Sequence, residues 1–550
     1  MSKANFSWWR TACAVLLLCA ATTVALPAQT FTTLVNFDGT DGAAPYYMSL
    51  VQGTDGNLYG TTPDGGAHGV GAVFKMTPSG TLTTLYSFCP QTGCSDGETP
   101  YAGLVLGADG NFYGTTYEGG AGIYGTVFKI TSAGALTTLH SFDDTDGAYP
   151  YGGALIQATN GSFYGTTYVG GAHGDGTVFR ITSGGTLTTL HSFDYTDGEA
   201  PVGGVIQGTD GNLYGTTIEG GANGDGTVFK ITLGGTLTTL HSFDGTDGKE
   251  PYAALVQASN GTFYGTTLQG GANLRGTAFT ITSGGTLTTL YNFCSQTVCT
   301  DGYAPDAALI QATDGNFYGT TAGGGTTGHG TAFEITSGGI LTTLYSFCTQ
   351  PGCADGNNPN GALVQATNGT FYGAADEGGA DGDGTVFSLA VGLGPFVETL
   401  PSSGKAAAAV KILGTNLTGA TSVSFNGTAA TFKVVSSSEI TAGVPSGATT
   451  GFVAVTTPGG TLSSNVTFRV TPVISGFTPI SGAPGTAVTI TGNSLTGATR
   501  VTFGGVRATS FTVNSDTQIT ATVPKGAKTG KISVTTPGGI ATSTGTFTVT

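Results

Sequence analysis

The chain repeats itself. The anchor Thr-Leu-Thr-Thr-Leu, or a close variant, begins at Thr30, Thr81, Ala135, Thr186, Thr236, Thr286 and Ile340, in steps of 51, 54, 51, 50, 50 and 54 residues. Each unit holds four short apolar or alternating runs; in 186–235 they are TLTTLHSF, GGVIQG, NLYGTT and GTVFKIT. Gly, Asp and Asn bound every run, which marks turns. No run keeps a helical period. Four strands in about 50 residues is the size of a propeller blade. A lone sheet this small leaves apolar side chains exposed on both faces, and stacking blade on blade buries them. Seven units suit a closed ring, whereas an open β-solenoid would have shorter coils and capped ends.

Closure leaves a trace in the sequence. The run Thr30–Phe37 reads as the outermost strand of a blade, while the seventh unit stops on its third strand, at 384–389. The N-terminal strand is therefore expected to complete the last blade. A competing closing strand, Phe396–Leu400, is assigned to the next module. Within a unit, the turns 209–211 and 233–235 are tight, and the connections Asp194–Pro201 and Ile218–Gly226 are long. Alternate connections of a meander emerge on one side. Both long loops should share a face, and that face is where a ligand site is expected.

A second repeat follows. FVETLPSSG (396–404), VKILGTNL (410–417), VSFNG (423–427), ITAGVP (440–445) and VAVTTPGG (453–460) return as PVISGFTP (472–479), GTAVTITGNSL (485–495), VTFGG (501–505), ITATVP (519–524) and ISVTTPGG (532–539). Each copy is the size of a small two-sheet sandwich. The first departs at its start, where Leu400-Pro401 replaces the Phe-x-Pro element of 477–479.

These motifs carry two resemblances. DGNLYGTT (55–62), DGNFYGTT (109–116) and GTVFKIT (226–232), with the LTTL anchor, resemble the GloVer, or Gloeo/Verruco, tandem repeat of exported bacterial proteins. That resemblance implies a propeller-like, surface-associated protein and no assigned reaction. The C-terminal repeat is similar to the IPT/TIG domain, an immunoglobulin-like module, which implies a spacer or adhesion role. Some intracellular relatives bind DNA, but this pair lacks the arginine-rich loops for it. The expected fold is all-β: a seven-bladed β-propeller at 29–393, then immunoglobulin-like β-sandwiches at 394–471 and 472–550.

Residues 1–28 read as a secretory signal. Lys3 and Arg10 precede the apolar stretch Thr11–Ala25, and Leu26-Pro27-Ala28 offers a cleavage point. Cys19 follows three leucines, and the large residue before it argues against a lipoprotein site. No later segment is apolar enough to cross a bilayer, so the expected location is secreted or cell surface. With 17 Lys+Arg against 33 Asp+Glu and no basic run, nucleic acid is excluded as a partner.

Six cysteines remain after the signal, as Cys89/Cys94, Cys294/Cys299 and Cys348/Cys353. Each pair sits in a unit with a lengthened first loop, and export favours local disulfides over a metal site. Every unit places an Asp-Gly in that loop, at Asp41, Asp96, Asp146, Asp197, Asp247, Asp301 and Asp355. A carboxylate ring suits Ca²⁺, yet Asp-Gly is also ordinary turn chemistry, and no cofactor is expected. His140, His191 and His241 alternate with Tyr86, Tyr291 and Tyr345 at one strand position, which reads as a packed aromatic site.

Pro-Tyr pairs at Tyr46, Tyr101, Tyr151 and Tyr252 give way to Val202, Asp306 and Asn360 at the equivalent positions. They precede the innermost strand and should lie at the channel mouth, either as blade packing or as rings that stack on a ligand. Tyr101, Tyr151, Tyr252, Asp306 and Asn360 are the candidate ligand contacts. Nothing resembles a nucleophile elbow, a phosphate loop or a zincin helix, so no catalytic residue is named. The expected function is non-enzymatic binding of an extracellular glycan or protein. A propeller-based carbohydrate-active enzyme and a structural spacer are the alternatives.

Overall fold

The structure, a computed structural model, describes residues 29–550. The export signal expected at 1–28 lies outside the described residues. The repeats form seven four-stranded antiparallel sheets. Blade 4 shows the order: Val205–Gln207 is innermost, followed outward by Leu213–Thr217, Thr227–Ile231 and Leu237–Ser242. The glycine of the LYGTT strand has a steric reason. A Cβ on Gly215 would stand 2.6 Å from the Phe229 ring of the neighbouring strand. Glycine lets that ring lie across the strand.

Two aromatic contacts join blade to blade. Tyr214 of blade 4 lies 4.1 Å from Phe263 of blade 5, centroid to centroid, and its hydroxyl donates to Asp210 at 2.8 Å. The DGN turn thus satisfies the one polar atom of an otherwise buried ring, as burial requires. Nearer the rim, Phe243 meets Phe279 edge-on at 5.3 Å, and an equivalent Phe–Phe pair recurs from each blade to the next. Phe37 with Phe74, at 5.5 Å, completes the circle.

Phe37 ends the closing strand. Thr30–Asn36 pairs antiparallel with Thr385–Ala390 and forms the outer strand of blade 7. Glu398–Leu400 instead pairs with Ala409–Leu413 in the first sandwich. Each long first loop bridges to the long second loop of its own blade, as Glu199 does to Glu219 and Asn357 to Glu377. The two kinds of long loop therefore share a face.

The Asp-Gly loops are internally bonded. Asp194 Oδ1 accepts from the backbone N–H and hydroxyl of Thr196, at 3.1 and 2.6 Å. Packing alone does not describe the His/Tyr position, which corrects the sequence reading. His191 meets Phe193 edge-on at 5.0 Å, but its Nε2 also lies 2.8 Å from Asp197 Oδ2. Tyr86, Tyr291 and Tyr345 donate to Asp96, Asp301 and Asp355 at 2.9, 2.7 and 2.7 Å. In six blades the position takes a ring that both fills space and bonds the loop aspartate, so His and Tyr interchange there and Phe does not appear; in blade 7 Val35 holds it and only packs. Disulfides join Cys89 to Cys94, Cys294 to Cys299 and Cys348 to Cys353. Each staples one such loop, for about 2 kcal/mol by the loop-entropy relation.

The two C-terminal modules repeat one topology. Each has two four-stranded sheets and a short parallel pair, Ser403–Gly404 with Arg469–Val470 in the first and Ser481–Gly482 with Thr548–Val549 in the second. Leu400-Pro401 and Thr478-Pro479, at matching positions, are both cis. The first module docks on the tight-turn face of the propeller. Its Ser438 hydroxyl donates to the Thr54 carbonyl at 2.8 Å, and Thr415 and Thr367 share a hydroxyl contact of 2.9 Å. No helix of the described residues is long and apolar enough to cross a membrane.

Candidate functional site

With one face occupied by a sandwich, the long-loop face remains. There the loops converge on the mouth of the central channel. Tyr151 is a hub, its ring 4.9 Å from Tyr101, 5.5 Å from Tyr47, 5.5 Å from Tyr117 and 5.9 Å from Tyr168. Tyr47 reaches across to Tyr252 at 6.2 Å, with the rings nearly parallel. Tyr117, Tyr151, Tyr168, Val202 and Tyr252 enclose a cavity of about 180 Å³. Burial, foremost, pushes the Tyr252 hydroxyl up to about 12 and raises Tyr151 and Tyr47 further. These phenols stay protonated and can donate hydrogen bonds.

A second cavity, of about 100 Å³, lies against the inner strands. Tyr47, Tyr252, Val202, Asp306 and Asn360 line it together with small residues such as Gly152, Ala254 and Ala362. Asp306 is 7% exposed and Asn360 1%. The Asn360 side-chain oxygen accepts the Tyr47 N–H at 3.3 Å, and its amide donates to Asp376 Oδ2 at 3.3 Å. Asn358 donates to the same oxygen at 3.1 Å. Oδ1 of Asp306 and Oδ1 of Asp376 have no hydrogen-bond partner among the described residues. Burial drives the Asp306 carboxyl up to about 8 and that of Asp376 up to about 7.

The mouth is therefore two-sided. Blades 1 to 3 and 5 contribute rings, whereas blades 6 and 7 contribute Asp306, Asn360 and Asp376. All five candidate contacts lie here: Asp306, Asn360 and Tyr252 in the inner cavity, Tyr151 and Tyr252 in the outer one, and Tyr101 tilted against Tyr151. The sequence reading missed Tyr47, Tyr117, Tyr168 and Asp376. Tyr47 had a signal, because the segment from Pro45 to Gln52 is one residue longer than that from Pro201 to Gln207. Tyr117, Tyr168 and Asp376 follow the second-strand Thr-Thr or Ala-Ala pair, a position held elsewhere by Pro63, Ile218, Leu268 and Ala322.

The surrounding loops are acidic. Burial first, and then the neighbouring Glu118 and Glu219, raise Glu98 and Glu199 above the ordinary carboxylate range. Lys249 is held by Asp225 at 3.1 Å, and the Arg275 guanidinium sits 5.1 Å over the Tyr303 ring. A face of this kind repels anions and suits neutral or cationic ligands.

Such a chain is a repeat-built β-propeller with a tandem sandwich, and its sequence falls into a known group. The Gloeobacter/Verrucomicrobia repeat matches over residues 21–209, 153–312 and 203–429, and the IPT/TIG domain over 396–470 and 472–549. The chain belongs to the Gloeobacter/Verrucomicrobia repeat family and ends in two IPT/TIG domains. No curated protein matches it. Among solved structures it is similar to the protein SGBP-B from a xyloglucan utilization locus of Bacteroides uniformis, at 24% identity over 28% of this chain and 48% of that one, with a TM-score of 0.14. The likeness spans just under half of that protein's length. A fungal alcohol oxidase in complex with copper shares 13% identity over 80% of this chain and 99% of that one, with a TM-score of 0.42. The extracellular domain of a hybrid two-component system from B. thetaiotaomicron shares 12% over 92% of this chain and 70% of that one, with a TM-score of 0.43. What those proteins bind is theirs.

Proposed function

We propose that this chain is an exported, non-enzymatic binding protein whose channel mouth on the long-loop face holds an extracellular glycan, with the two sandwiches as a spacer. The carrying observation is the tyrosine arc of blades 1 to 3 and 5, closed by hydrogen-bonding groups of blades 6 and 7. Aromatic faces pack against the C–H faces of sugar rings, and buried amides and phenols read hydroxyls. The local disulfides fit an oxidising compartment. Near-identity of the blades everywhere else favours recognition at one asymmetric mouth.

The test is a glycan array read with the protein and with a variant carrying Tyr101→Ala, Tyr151→Ala, Tyr252→Ala, Asp306→Ala and Asn360→Ala. Each lost ring contact is worth about 1 kcal/mol, so the combined loss should exceed 100-fold, an estimate from stacking energies. Retained affinity in the folded variant, with loss on mutating the sandwiches, would place binding elsewhere. A hydrolase reading is favoured by two buried carboxyls, Asp306 held up to about 8 as a proton donor and Asp376, up to about 7, partly ionised near neutrality. New reducing ends from a bound glycan would replace the binding role with that one.

A further inference from the structure

The inner cavity has chemistry that a neutral sugar does not use. Asp306 sits in it almost wholly buried, at 7% exposure, with Oδ1 unpartnered among the described residues. Asp376 stands behind Asn360 with a second free oxygen. Tyr47 and Tyr252 line the same cavity. A carboxyl with one unpartnered oxygen, in a cavity that tyrosine rings also line, is the arrangement that recognises an ammonium group: the carboxylate supplies the counter-charge and the rings attract the cation through their quadrupoles. Among the described residues, no lysine or arginine lines this cavity. Its volume of about 100 Å³ admits an ammonium head and excludes a whole sugar ring.

Resting on the glycan-binding reading, we propose that the inner cavity is an ammonium site and that the ligand is an amino-sugar polymer with free amines. One sugar ring would lie on the tyrosines of the outer cavity, its amine reaching inward to Asp306. Burial holds that carboxyl up to about 8, so it is largely protonated when the cavity is empty near neutral pH. An arriving ammonium favours the carboxylate, and binding then releases a proton. The groups facing Asp306 are Tyr46 and Tyr47 of blade 1, Tyr252 of blade 5 and Asp376 of blade 7. Both tyrosines of blade 1 are held protonated by burial, which leaves the two carboxyls to titrate.

Calorimetry with three β-1,4-linked tetramers tests this: glucosamine, N-acetylglucosamine and glucose. The glucosamine tetramer should bind about tenfold or more tightly than the other two, as a desolvated charge contact implies. In Asp306→Asn that preference should vanish, the glucosamine tetramer binding no more tightly than the other two. Buffers of different ionisation heat should report proton release with the wild type and not with the variant. Equal affinity for all three tetramers would overturn the ammonium inference yet leave the glycan reading standing. Preference that survives in Asp306→Asn would overturn the assignment to this cavity. Tight binding of an oligolysine with none of the glucosamine tetramer would overturn the amino-sugar class, and failure of every glycan on the array would overturn both readings.

Discussion

At the scale of single residues, the buried aspartates carry a stability consequence. Asp306 is held up to about 8 by burial, against an ordinary value near 4. Its neutral form is the one the fold accommodates. The resulting stabilisation is complete at pH values below the ordinary carboxylate range, and it is lost progressively as pH rises to about 8. Asp376, held up to about 7 by burial, adds in the same direction. Asp306→Asn keeps the shape and cannot ionise. Its melting temperature should match the wild type near pH 4 and exceed it by several degrees near pH 9, since a shift of this kind is worth a few kcal/mol. Parallel melting curves across that range would show that Asp306 is ionised in the folded protein. This pair also marks what a linear reading sees and misses. Asp306 stood out because it breaks the Pro-Tyr pattern, but Asp376 lies 70 residues away in another loop, and the packing of blade 7 against blade 6 brings the two together. The His/Tyr position was legible as aromatic. Its hydrogen bond to the loop aspartate was not, because the bond depends on how strand and loop fold back on each other.

At the scale of elements, the repeat made the blade readable. Four runs between turn formers became four strands, and tight turns alternating with long loops put the long ones on one face. Strand lengths were less legible. The innermost strands shrink to two residues in most blades, as in Val51–Gln52 and Ile310–Gln311, because the strands crowd toward the axis and the chain leaves the ladder early. The closing strand was legible because the seventh unit lacks a fourth run. Its removal should be costly. Thr30–Asn36 covers the edge of Thr385–Ala390, Phe31 stacks on Tyr345, and the strand brings buried Val35 and Phe37. Losing Val35 and Phe37 alone costs about 4 kcal/mol of apolar burial, and the bared strand edge invites pairing between chains. A chain without Thr30–Phe37 should melt at least about 5 °C lower and aggregate, as that loss implies. An unchanged melting temperature would mean that another segment closes blade 7.

At the scale of the whole molecule, a nearly sevenfold ring must accept a single sandwich in a single rotational setting, and one residue distinguishes the settings. Six inner strands end in glutamine. Each side-chain oxygen accepts a backbone N–H from the preceding blade's turn, as Gln207 does from Thr159 at 2.9 Å and Gln52 from Thr367 at 2.9 Å. Blade 2 has Leu106 at that place. There the belt is interrupted, and the sandwich fills the gap: Leu413 is buried in the same apolar cluster as Leu106, with Leu400 packed against it. Ser438 of the sandwich bonds the Thr54 carbonyl, in the turn that a seventh glutamine would have engaged. Leu106→Gln should restore the belt and remove the notch. The propeller should keep its stability, because the new amide finds the Thr54 N–H. Docking should weaken by about 2 kcal/mol, the worth of one buried leucine side chain. Small-angle scattering would then show a longer particle, and protease would cut the connection around Val391–Pro395, while glycan binding at the opposite mouth stayed unchanged. Scattering and cleavage identical to the wild type would show that docking is set by the polar contacts of Ser438 and Thr415 instead of by this leucine.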